Sequence, residues 1–114
     1  MKDDRPYLAD ILQALGRVEE IGQRGRVAFL ADWLLQDAAI RNFEIVGEAV
    51  KRVSAELRAA HPEIPWADLA GFRDVLVHQY FRVDFEIVWA LIEQRAAGLR
   101  GDLARLAASL DAPR

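Results

Sequence analysis

The chain has 114 residues, 53% of them hydrophobic, with no cysteine and a formal net charge of -3. That length is expected to form one domain over residues 1–114, with enough apolar material for a core that needs neither disulfide nor metal. The lack of Cys excludes disulfide scaffolds, thiolate catalysis and zinc–cysteine sites. The acidic balance argues against an extended nucleic-acid coat while leaving room for a local site that engages one or two phosphates.

The opening residues Met1 to Pro6 lack the apolar centre of a signal peptide, and no apolar run approaches the ~20 residues of a membrane span. A cytoplasmic protein without membrane association is expected. A first helix carries Leu8, Ile11, Leu12, Leu15 and Val18 on one stripe, with Asp3 or Asp4 as N-cap and Pro6 in its first turn, and ends at Gly22 to Gly25. A longer helix is predicted from about Val27 to Ala59, stopped by His61-Pro62-Glu63-Ile64-Pro65 because two prolines so close cannot continue it. Gly47 inside it costs about 1 kcal/mol relative to Ala, which close helix–helix approach explains, as would access for a ligand near Glu44 and Glu48. A third helix starts near Pro65 or Trp66, with Gly71 as a candidate bend. Phe81-Arg82-Val83 connects it to a last helix capped by Asp84 and carrying Val88, Ile92, Leu99, Leu103, Leu106 and Leu110. No strand alternation or internal repeat is visible, so the fold class is all-α, an up-down bundle of four main helices.

The third helix carries the densest chemistry, Arg73-Asp74-Val75-Leu76-Val77-His78-Gln79-Tyr80. Arg73 is permanently charged and can hold a phosphate, His78 can move protons near neutral pH, and the Tyr80 hydroxyl can accept a transferred group. At ~100° per residue, Arg73, Val77 and Tyr80 share one face, whereas His78 lies ~140° from Arg73. Asp74 and His78 are one turn apart, so the carboxylate would orient the ring and favour the imidazolium. Either local unwinding near His78 or a second copy of the chain could bring Arg and His onto one phosphate, and a symmetric dimer is the favoured solution. Asp74 also brings negative charge towards that phosphate, which Arg82 could offset. On spacing alone, an ordinary helix with partly buried His78 and Tyr80 and a surface-paired Arg73 is the favoured description, because Arg and His five apart is a weak pattern.

The chain resembles the HepT-like members of the HEPN superfamily, the toxin halves of HepT/MntA toxin–antitoxin pairs. The resemblance rests on Tyr7-Leu8-Ala9-Asp10-Ile11-Leu12, Asp37 through Ala49, His61 through Trp66, Arg73 through Tyr80, Val83-Asp84 and Ile87-Val88-Trp89. It implies a HEPN-like homodimer with facing Arg-x4-His motifs and an endoribonuclease that needs no metal and no cofactor. It further implies that Arg73 stabilises the transition-state phosphate, His78 serves as acid–base with the RNA 2′-hydroxyl as nucleophile, and Asp74 supports them. Tyr80 matches the tyrosine that a cognate MntA-like nucleotidyltransferase antitoxin adenylylates to silence the toxin. Arg82 departs from the Gly frequent at this position in similar proteins, which changes loop flexibility and local charge.

Other polar groups have simpler readings beside functional ones. Arg41, Glu44 and Glu48 fit an intrahelical ion-pair row, and alternatively Arg41 and Glu48 border the active cleft or the dimer seam. His61 is expected to be structural or merely exposed, since no second His stands at metal-ligand spacing to it. Trp33, Trp66 and Trp89 fit core or interface anchors better than base-stacking platforms. The rival functional reading is a non-catalytic helical module that partners a nucleotidyltransferase.

Overall fold

A computed structural model describes residues 3–78 and 83–111, with side chains described outside 73–78. Its described residues form seven helices and no strand: α1 (Arg5–Gln23), α2 (Arg26–Ala31), α3 (Trp33–Arg52), α4 (Ala55–Ala60), α5 (Trp66–His78), α6 (Phe85–Gln94) and α7 (Ala96–Asp111). The expected all-α class holds. The long second helix over 27–59 does not: it divides into α2, α3 and α4 at two polar caps that override the apolar periodicity.

At the first division Asp32 is extended, and its carboxylate accepts the Leu34 backbone N–H at 2.9 Å. The Gln36 amide reaches back to the Phe29 and Leu30 carbonyls at 3.1 and 3.2 Å, satisfying acceptors that the end of α2 leaves open. At the second, Val53 and Ser54 are extended and the Ser54 hydroxyl accepts the Leu57 N–H at 3.1 Å. Asp4 holds this joint. Although it occupies the N-cap position of α1, its side chain makes no cap there and instead accepts the Ser54 backbone N–H at 2.7 Å and the Ser54 hydroxyl at 2.6 Å. Ser54→Ala removes both the cap and one of these charge-assisted bonds, so a loss of about 1–2 kcal/mol in urea unfolding is expected. An unchanged midpoint would contradict this role.

The predicted last helix is also divided, at Arg95, but more gently. Arg95 keeps a helical ψ of -34°, its N–H bonds the Leu91 carbonyl at 3.0 Å, and its own carbonyl accepts from Leu99 at 3.0 Å. Asp84 caps α6 as its sequence suggests, accepting the Glu86 N–H at 2.9 Å.

Two core clusters share α1 and α3. One joins Leu8, Ile11 and Leu15 to Val46, Val50 and Val53, to Ile64, Trp66 and Leu69, and to Leu99, Leu103 and Leu106. The other joins Val18 and Ile21 to Phe29, Ile40 and Phe43 and to Val88, Trp89 and Ile92. Phe72 packs against both, meeting Phe43 edge-on at 5.5 Å. The order of contacts makes α3 antiparallel to α1. Two glycines are required where they stand: Gly25 has φ +89° at the entry to α2, and a Cβ on Gly22 would come within 2.8 Å of the Ile92 side chain. No helix among the described residues is long and apolar enough to cross a membrane.

Candidate functional site

The start of α5 is fixed by its surroundings. Pro65 leads into it, the Trp66 indole N–H donates to the His61 carbonyl at 2.9 Å, and the Leu69 N–H bonds the Pro65 carbonyl at 3.0 Å. Ile64, Trp66 and Leu69 are buried beside the C-terminal half of α3, while Phe72 meets Phe43 near its middle. The helix therefore runs antiparallel to α3, and residues 73–78 follow alongside the N-terminal half of α3.

The helix continues through Gly71 and remains helical from Arg73 to His78. Five residues along an unbroken helix leave Arg73 and His78 ~140° apart around the axis, and Asp74 one turn from His78. The backbone is therefore not unwound between Arg73 and His78, and the residues just after His78 lie outside the described set. The side chains of Arg73, Asp74 and His78, and all of Tyr80 and Arg82, lie outside the described residues.

Arg41 and Glu48 are described. Arg41 pairs with Glu44 at 3.8 Å, as the spacing suggests, while Glu48 pairs with Arg52 at 3.9 Å, a partner outside the expected row. These residues also line a cleft of about 370 Å³ with Tyr7 and Asp10 of α1. Three carboxylates, Asp10, Glu44 and Glu48, stand there against two cations, Arg41 and Arg52, so the cleft has no preference for an anion.

Further along the same α1–α3 groove lies a second cleft of about 790 Å³, walled by Arg17, Glu20, Arg24, Leu35, Ala38 and Asn42 among others. Asn42 is the buried polar residue of the described set, 7% exposed. Its amide donates to the Ala38 carbonyl at 2.8 Å, which fixes the amide orientation and leaves Oδ1 buried without a donor. The sequence reading passed over this cleft. Its signal was Asn42 interrupting the small and apolar series Leu35, Ala38, Ile45 and Ala49 at three- and four-residue steps.

His61 is partly exposed, and its Nδ1 contacts Glu63 Oε1 at 2.9 Å. That hydrogen bond holds the Glu63 carboxyl below its usual range, so whatever stability it adds is present at neutral pH and lost as pH falls through the lowered value. Trp66 and Trp89 are buried at 8% and 7%, but Trp33 is 66% exposed and is not a core anchor, because the Asp32 break turns it outward at the start of α3. No group of three or more His, Cys, Asp or Glu able to hold a metal occurs among the described residues.

Comparison with known proteins places these elements in context. The family described as "Ribonuclease HepT-like" matches residues 11–106. A "Probable ribonuclease HepT" of Thermococcus cleftensis is 37% identical over 92% of this chain and 96% of its own length. A "Putative RNase" of Caldanaerobacter subterraneus subsp. tengcongensis is 42% identical over 81% of this chain and 83% of its own. A "Putative RNase" of Methanocaldococcus jannaschii is 31% identical over 96% of both chains. No solved structure matches the chain.

Proposed function

The chain belongs to the HepT-like ribonuclease family, and on that premise we propose that it is a metal-independent endoribonuclease acting as a homodimer. The observation that carries the reading is that the family match, residues 11–106, contains an Arg73-x4-His78 pair on one unbroken helix. Because a single helix turns Arg73 and His78 apart, a complete site takes Arg73 from one copy and His78 from the other, with α5 close to a two-fold axis. Val27, Trp33, Leu34 and Ile87 are 60–80% exposed and give a second copy apolar surface to cover.

In this reading His78 removes the proton from an RNA 2′-hydroxyl. The 2′-oxygen attacks the adjacent phosphorus, the bond to O5′ breaks, and the leaving oxygen takes a proton. The products are a 2′,3′-cyclic phosphate and a 5′-hydroxyl. Arg73 donates to the non-bridging oxygens, where charge builds in the transition state. Asp74, one turn from His78, orients the ring and favours the imidazolium that forms. Arg82 offsets the negative charge that Asp74 adds.

Control is proposed to come from a nucleotidyltransferase of the MntA kind, the antitoxin of a toxin–antitoxin pair. It would transfer AMP from ATP to the Tyr80 hydroxyl with release of pyrophosphate. Attached two residues beyond His78 in the sequence, that phosphate would compete with RNA for the Arg73 guanidinium. Coexpression with such a transferase is expected to add one or more AMP units to the parent chain and to abolish cleavage. Tyr80→Phe is expected to remain unmodified and active under the same conditions, as read by intact mass and RNA cleavage. Silencing of Tyr80→Phe would refute the assignment.

A second reading, a non-catalytic module that only binds the transferase, draws support from the net charge of -3. It predicts a complex that survives His78→Ala and no RNA cleavage by any form of the chain.

A further inference from the structure

We propose that the cleft between the C-terminal half of α1 and the N-terminal half of α3 binds a nucleotide of single-stranded RNA outside the cleavage site. Arg17 and Arg24 would hold its phosphates and Asn42 its base. The proposal rests on the ribonuclease reading and adds a substrate-binding subsite to it.

Three observations converge on this cleft. Arg17 of α1 and Arg24, the C-cap residue at its end, are exposed, stand about two turns apart, and both line it. Neither forms an ion pair or side-chain hydrogen bond among the described residues, in contrast to Arg5, Arg26, Arg41, Arg52, Arg100 and Arg105, which pair with carboxylates. Two unengaged Arg side chains rooted ~10 Å apart along a helix can reach separate phosphates of one strand, which suits a nucleic acid better than a single small anion. The second observation is Asn42, whose Oδ1 is buried with no donor while its amide nitrogen is already committed to Ala38. Such an acceptor is costly to leave unmet, and the N–H edge of a base supplies what it lacks. The third is the wall: Leu35 and Ala38 offer an apolar surface for the base plane, while the Glu20 carboxylate can accept from ribose hydroxyls but repels the phosphates themselves. That chemistry fits a nucleotide with its sugar turned to Glu20.

The placement also connects the cleft to the candidate catalytic helix. The cleft lies on the α1 flank of α3, at the level of Leu35 to Asn42. Residues 73–78 run past the same half of α3 on its α5 side. A strand bound at both places would cross a single helix, ~10–12 Å wide, which a few nucleotides span. Arg41, on the outer surface of α3 and 72% exposed at its side chain, lies beside that path.

The test measures binding of a fluorescently labelled short single-stranded RNA to the full chain carrying His78→Ala, which blocks cleavage. Adding Arg17→Glu and Arg24→Glu is expected to weaken binding at least tenfold and to lower the slope of log affinity against log salt by about 1.4, for two lost contacts at ~0.7 each. A control with Arg95→Glu and Arg105→Glu, on the α6–α7 arm, changes the net charge equally and is expected to bind as the parent. All four positions are exposed, and circular dichroism checks the fold. Asn42→Leu, of similar volume, is expected to narrow the affinity differences among the four homopolymer RNAs. Equal weakening in the control, or parental binding by the Arg17/Arg24 variant, overturns the subsite while leaving the ribonuclease reading standing. If the His78→Ala chain binds no RNA while the parent also fails to cleave it, both fall together.

Discussion

His78→Ala is expected to reduce RNA cleavage by about two to four orders of magnitude, the usual contribution of a positioned acid–base group. Arg73→Ala is expected to fall comparably, because it withdraws charge stabilisation from the transition state. The informative experiment mixes the two inactive chains. With α5 helical from Arg73 to His78, the two positions are turned apart on one chain, and the proposed dimer has each site draw on both copies. A mixed dimer then holds one site with both residues intact and one with neither. Half the dimers in an equal, freely exchanging mixture are mixed, so about a quarter of parental activity should return. A mixture as inactive as its components would place Arg73 and His78 of the same chain in one site and remove the geometric argument for the dimer.

The largest expected effect on stability comes from Phe43→Ala. Phe43 is 1% exposed, and its ring meets Phe72 edge-on at 5.5 Å and 77°. Phe72 packs against both core clusters, and the helical turn after it begins the Arg73–His78 segment. Removing the ring opens a cavity at the joint between the clusters, with an expected loss of about 3–5 kcal/mol in urea unfolding. Against the ~5–15 kcal/mol typical of a whole domain, that is a large share. Phe43→Leu, which keeps most of the volume, should lose much less. A loss below about 1 kcal/mol for Phe43→Ala would mean that the site collapses around the deletion.

Much of the fold was legible because it follows from apolar spacing. The stripe Leu8, Ile11, Leu15 and Val18 of α1 is buried as read, with Leu12 at its partly buried edge, α5 begins at Trp66 after the two prolines, and Asp84 caps α6. What periodicity could not supply were the interruptions. Asp32 and Ser54 each stop a helix while the apolar pattern continues on either side, through a side-chain cap worth more than the residue's place in the stripe. Both are residue types that favour caps, so the signal was present but subordinate. Asp4 shows the opposite error: a good capping residue at a helix start was claimed by a partner 50 positions away.

The site was legible to a different degree. Arg41, Glu44, Glu48 and Arg52 pair as three- and four-residue spacing dictates, which is a local effect. The cleft around Asn42 depends on which faces of α1 and α3 oppose each other, and that is set by their antiparallel register. Sequence spacing marks Asn42 as an odd polar residue in an apolar series but does not say what stands opposite it. Arg17 and Arg24 come to line one cleft with Asn42 only once the two helices are packed.

The central claim, that this chain cleaves RNA through Arg73 and His78 without a metal, is tested most directly by incubating the purified, unmodified chain with RNA in excess chelator and analysing the new ends. The account predicts cleavage that leaves 2′,3′-cyclic phosphate and 5′-hydroxyl termini, abolished in His78→Ala. A folded dimer that leaves RNA intact, or cleavage that appears only when a divalent metal is restored, would contradict it.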